Sequence, residues 1–304
     1  MLFSETVVPQ RFPKKHFCHI EPFSARNLGF LAEFLYFKNF FAVLIFGVSA
    51  LTTYLTTDRK ISGQRIHPVV CAPLCGRNGV DTVRTLSCGP YTVDLFTVAD
   101  SQTVVYAVMD REEAQAVWPL LKEPKPALAA VSGVDWNREL SPWPAPGVFR
   151  GGGDFGGEGP AFLDILIRQI IPLAEAQLGF APVSRAVAGY SLAGLFALWS
   201  VFQTDVFDRA VSASGSLWFD GFMDYMSASA PPSGLRQVYL SLGDKEKNAR
   251  NQRMAAVEDC TCRAAELLRE WNIPVMFEMN PGGHFQDIPG RIARGIDQLM
   301  ESTH

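Results

Sequence analysis

The chain has 304 residues, 48% of them hydrophobic, with 27 basic against 31 acidic side chains. That content is enough for a sizeable buried core and excludes a fibrous or broadly disordered chain. A formal charge of -4 offers no basic face to phosphates, so no nucleic-acid partner is expected.

The first 88 residues read as an irregular N-terminal extension, with little strand or helix periodicity. Within them, residues 40–55 form a charge-free apolar run, short for a span that needs about 20 residues. Widening it to 28–55 adds length together with Glu33, Lys38 and Asn39. Three readings compete: a membrane anchor, an export signal with a V-x-A cleavage site at Val48–Ala50, or an extension apart from the folded enzyme. Residues 28–55 are therefore the segment for any membrane contact. The cysteines (Cys18, Cys71, Cys75, Cys88, Cys260 and Cys262) lack CxxC pairing and zinc-type histidine spacing, so no metal is expected. Buried or idle thiols fit a reducing compartment, and a cytoplasmic location is the expectation.

From residue 89 the chain reads as one α/β domain reaching residue 304. Strands are expected at Tyr91–Thr97, Thr103–Val108, Ala127–Val131, Arg185–Ala188, Arg209–Ser212, Gln237–Leu242 and Pro274–Met279. Helices are expected at Arg111–Leu121, Pro160–Leu178, Ala255–Trp271 and Ile288–Met300. Such alternation predicts a mainly parallel sheet with helices on both faces. Ser132–Gly159 is a long connection with seven glycines in its last thirteen residues. It lacks the Lys and Ser/Thr of a phosphate loop, so a flexible rim beside a substrate cleft is expected.

The chemistry centres on RAVAGYSLAGLFALWS, residues 185–200, where a short apolar strand meets an apolar helix at Ser191. A tight strand-to-helix turn needs small residues two places before and after its serine, and Gly189 and Ala193 meet that need. Ser191 then becomes a candidate nucleophile, with the Leu192 backbone N–H at the helix start as an oxyanion donor. A helix-capping serine is the alternative. The activating base follows by elimination: His16, His19 and His67 lie in the extension, His304 is the last residue, and His284 sits in NPGGHF after the last strand. Two carboxylates, Asp244 and Glu246, follow the preceding strand. Glu246 is preferred for its longer reach, with Asp244 as the alternative acid. A second oxyanion donor is expected near Gly133 and Val134. Asp135, Trp136 and Arg138, with Tyr190 and Trp218, are the candidate substrate-binding residues.

Taken together, GYSLAGLFALW, SASGSLWF, LGDKE and PGGHF make the body resemble an esterase family of α/β hydrolases. That family includes enterochelin esterases, feruloyl esterases, S-formylglutathione hydrolase and the mycolyltransferases. The resemblance runs from about Tyr91 to Met300 and is nearest the enterochelin (siderophore) esterase branch, whose Arg-x-x-Glu-Leu stretch is shortened here to Arg138-Glu139-Leu140. It implies Ser191 as nucleophile, His284 as base and Glu246 as acid, a small-molecule ester as substrate, and no cofactor. An acyltransferase would use the same residues. A non-catalytic, membrane-tethered binding module is the reading from a different class.

Overall fold

The structure, a computed structural model, describes residues 82–98, 101–148, 151–231 and 233–301. The apolar segment 28–55 lies outside the described residues, as do His16, His19, His67 and His304. Among those described, no helix is long and apolar enough to cross a membrane.

Eight strands form one sheet: β1 (Thr82–Cys88), β2 (Tyr91–Thr97), β3 (Thr103–Val108), β4 (Ala127–Ser132), β5 (Ser184–Tyr190), β6 (Arg209–Ala213), β7 (Gln237–Gly243) and β8 (Val275–Asn280). Their spatial order is β1-β2-β4-β3-β5-β6-β7-β8. β2 is antiparallel to both β1 and β4, whereas every pairing from β4 through β8 is parallel. The expected strands are all present. β1 is an addition, since it falls in the stretch read as irregular. The reason is physical: β1 is an edge strand that is largely exposed, so it carries no alternation of apolar and polar residues.

Strand alternation sorts the core onto two faces. Val104, Tyr106, Val108, Val187, Val238 and Leu240 point to one side. There they meet α3 (Gly159–Ile165), α5 (Leu192–Ser200) and α8 (Val257–Glu270), which follows the short α7 (Gln252–Ala255). Val105, Ala107, Ala186, Ala188, Val211 and Tyr239 point to the other, against α1 (Arg111–Val117) and α9 (Ile288–Glu301). Every residue of α5 is buried, as befits a helix apolar on all sides.

Two expected helices are interrupted, and a proline stands at each break. Pro119 turns the end of α1 into a single 3-10 turn, Trp118–Leu120. The helix expected over 160–178 runs through a π turn at Leu166–Ile170 into α4 (Ile171–Glu175), where Pro172 cannot donate to the preceding turn. The 132–159 connection contains the short α2 (Trp136–Glu139) and a two-residue ladder, Pro144–Ala145 with Phe155–Gly156. Gly147, Gly156, Gly157 and Gly159 sit where a side chain would collide, whereas Gly151 and Gly153 face open space. Gly157 has φ +73°, and a Cβ there would stand 2.3 Å from Pro144 N. Phe155 anchors the segment by packing against Trp218 and Phe219. Helix α6 (Phe222–Ala228) was not expected; only Phe222 and Met226 of its residues are buried, so its apolar stripe is thin.

Candidate active site

Parallel pairing brings the loops after β4, β5, β7 and β8 to one edge of the sheet, the edge where ligands bind in this class. Val108 pairs with Val131 on one side and Gly189 on the other, so β4 and β5 end level. The chain leaves them two strand spacings apart, about 10 Å. Gly133–Val134 and Ser191–Leu192 thus start from the same height.

Ser191 has φ 58° and ψ -120°, a strained turn for a residue with a side chain. The neighbouring glycine makes it feasible. A Cβ at Gly189 would fall 2.3 Å from the Ala193 carbonyl carbon and oxygen, so strand and helix cross there with no room for any side chain. The Ser191 amide donates to the Ala213 carbonyl at 3.1 Å, and its own carbonyl accepts from Leu195 and Ser216. Both backbone groups are therefore committed and the side chain is left to project. Ser191 does not cap α5 through its side chain.

The Ser191 Oγ lies 3.0 Å from His284 Nε2, and His284 Nδ1 lies 2.7 Å from Glu246 Oε2. Ser216, buried beside the nucleophile, places its Oγ 3.4 Å from Ser191 Oγ. Glu246 is 7% exposed. Its second oxygen, Oε1, accepts from Gly243 N–H at 2.7 Å, Ser214 Oγ–H at 2.8 Å and Arg291 Nη1 at 2.9 Å. Burial pushes the Glu246 carboxyl up, but the hydrogen bond and charge of His284, with the Gly243 and Ser214 donors, outweigh it and leave it below its ordinary value. Asp244 is engaged elsewhere. Its carboxylate accepts from the Gly282 amide at 2.7 Å and shapes the turn that carries the histidine. Gly282 adopts φ +97° in that turn.

The other expected residues fall into two groups. Trp218 and Trp136 are half-buried against the core beneath the same edge. Tyr190 packs on the His284 ring and donates its hydroxyl to the His284 carbonyl. Burial pushes its phenol up to about 12, which keeps the donor protonated. Asp135 and Arg138, by contrast, are engaged locally. Asp135 caps α2 by accepting from the Arg138 amide at 3.2 Å, and the Arg138 guanidinium pairs with Glu158. Leu192 opens α5, so its amide points from a helix N-terminus toward the space above Ser191.

Three residues lay outside the sequence-based site. Ser214 and Ser216 belong to SASGS, and Ser214 reaches Glu246 only because its backbone adopts φ 45°. Arg291 is wholly buried although it lies on α9 among Ile288, Ile292 and Ile296. A cation on the apolar face of an amphipathic helix, shortly after the histidine, was the available signal.

Known proteins share this arrangement of elements. A family model described as "Putative esterase" matches residues 120–284, more than half of the chain. "Uncharacterized protein YbbA" of Bacillus subtilis (strain 168) is 32% identical over 111 residues, which is 36% of this chain and 44% of that protein. The match thus spans less than half the length of that relative. Among solved structures, the siderophore hydrolase EstA from Aspergillus nidulans superposes with a TM-score of 0.57 at 18% identity, covering 79% of this chain and 100% of that one. The enterochelin esterase from Shigella flexneri gives a TM-score of 0.57 at 18% identity, covering 76% and 60%. The fold shared with both is the α/β-hydrolase fold.

Proposed function

The chain belongs to the esterase family whose model it matches, and from that premise we propose that it is a serine-dependent carboxylic ester hydrolase working through an acyl-enzyme on Ser191. The observation that carries the reading is the unbroken hydrogen-bonded line from Ser191 Oγ through the His284 imidazole to a buried, ionised Glu246. A serine hydroxyl is a weak nucleophile until a base takes its proton. His284 Nε2 is the base at hydrogen-bond distance. Its Nδ1–H donates to Glu246 Oε2, which fixes the tautomer and stabilises the imidazolium that forms. The attacked carbonyl oxygen becomes an oxyanion held by the Leu192 N–H and by the amide of Val134, beside Gly133. Proton return from His284 releases the alcohol, and water then repeats the sequence to free the acid.

The substrate is a small-molecule ester. Siderophore esters are the class to test first, because EstA and the Shigella enzyme, which share the fold, are described as a siderophore hydrolase and an enterochelin esterase.

A fluorophosphonate probe tests the mechanism. Labelling should map to Ser191 and vanish in Ser191→Ala and His284→Ala, with hydrolysis falling by up to about a million-fold. Wild-type labelling of Ser191→Ala would end the proposal. A panel of aryl, short-acyl and catecholate esters, run with and without an alcohol acceptor, then separates hydrolysis from acyl transfer.

A further inference from the structure

Arg291 is a fully buried charged side chain on this edge that the proposed chemistry leaves unused. It is fully buried in the first turn of α9, and its two terminal nitrogens reach five acceptors. Nη1 lies 2.9 Å from Glu246 Oε1, 2.9 Å from Ser214 Oγ and 3.1 Å from the Tyr190 hydroxyl. Nη2 donates to the carbonyls of Pro281 at 3.1 Å and Gly283 at 3.0 Å, the residues just ahead of His284. One planar guanidinium therefore grips the acid with one nitrogen and the histidine loop with the other. Tyr190 closes the ring, since its hydroxyl accepts from Arg291 and donates to the His284 carbonyl.

We propose that Arg291 is a positioning residue that sets the distance between Glu246 and His284, so that acid and base approach Ser191 as one unit. Two physical points carry this. A buried cation is costly unless it is paired, and this one is answered by Glu246 within a cluster whose every other partner also belongs to the site. In addition, only a rigid fork can serve two separate acceptor groups at fixed geometry; a lysine ammonium supplies charge without the fork. Arg291 touches neither Ser191 nor the space for substrate, so it acts through Glu246 and the loop.

The inference rests on the acyl-enzyme reading above. Its test measures probe labelling of Ser191 and steady-state hydrolysis of an aryl ester for wild type, Arg291→Met, Arg291→Lys, Glu246→Gln and the Glu246→Gln/Arg291→Met double variant. Misplacement of the base by an ångström costs about 100-fold. Arg291→Met should therefore lose about that much in kcat with KM within about 3-fold, and Arg291→Lys should recover about a tenfold part of it. In the Glu246→Gln background the same Arg291→Met change should cost less than about 10-fold, because the acid it places is already gone. A folded Arg291→Met with kcat near wild type, or an equal loss in both backgrounds without lysine recovery, overturns the inference. If Arg291→Met does not fold, Arg291→Lys decides: a reduced kcat at unchanged KM supports positioning, and wild-type kcat or a change in KM alone overturns it. Absence of labelling in wild type overturns the acyl-enzyme reading and this inference together, whereas a labelled wild type with unaffected variants overturns only the latter.

Discussion

Glu246 and Asp244 stand two residues apart on one loop, and their environments assign them different work. Glu246 is buried and faces the imidazole; Asp244 is exposed and holds the Gly282 amide. Glu246→Gln should lower kcat by about 10³ to 10⁴, since a neutral amide supports the wrong tautomer. Asp244→Asn should lower it by less than about 10-fold. Equal losses in a parallel kinetic measurement would show that the loop, rather than the buried acid, governs the chemistry. The low position of the Glu246 carboxyl also has a consequence for stability. Its folded value lies below the unfolded one of about 4.3, so its contribution is fully present above that pH and is lost as pH falls through the folded value. The urea midpoint of wild type should accordingly exceed that of Glu246→Gln most at neutral pH, with the gap closing on acidification. A gap independent of pH would contradict this.

Secondary-structure elements place these side chains by close approach. α9 lies tight on the sheet because Gly295 faces Val211 and Tyr239; a Cβ there would stand 2.5 Å from Val211 Cγ1 and 2.8 Å from Tyr239 Cδ1. Helix propensity alone predicts that Gly295→Ala stabilises by about 1 kcal/mol. Overpacking against two buried strand residues costs about 1–3 kcal/mol and wins, so the melting temperature should fall. A raised melting temperature would refute the close-packing account. On the opposite face, Leu198→Ala in the fully buried α5 should cost about 2–5 kcal/mol in urea unfolding. That loss would undermine the same helix whose first amide is proposed to hold the oxyanion.

Across the whole domain, distant segments meet around Arg253. Its guanidinium donates to the Pro146 carbonyl at 2.9 Å, pairs with Asp220 at 2.8 Å and lies 5.8 Å from the Trp218 ring centre. Asn251 adds a bond to the Val148 carbonyl. These contacts tie the glycine-rich connection to the segment carrying Ser216 and Trp218. Arg253→Ala should therefore raise KM for bulky esters by several-fold while leaving kcat for a small aryl ester nearly unchanged. A loss confined to kcat would count against a cleft-shaping role for this connection.

Linear sequence was sufficient for whatever depends on local pattern. Strand and helix periodicity marked seven of the eight strands, small residues around Ser191 marked the turn, and elimination left His284 as the candidate base. Pairing and depth are different in kind. The exposed edge strand β1 has no buried face to print a pattern, and Arg291 looks like any helical cation until α9 is docked. Ser214 reaches the acid only through a left-handed backbone. The choice between Glu246 and Asp244 likewise waited on tertiary structure, because their two-residue separation means nothing until folding buries one carboxylate beside the imidazole and turns the other toward a loop amide.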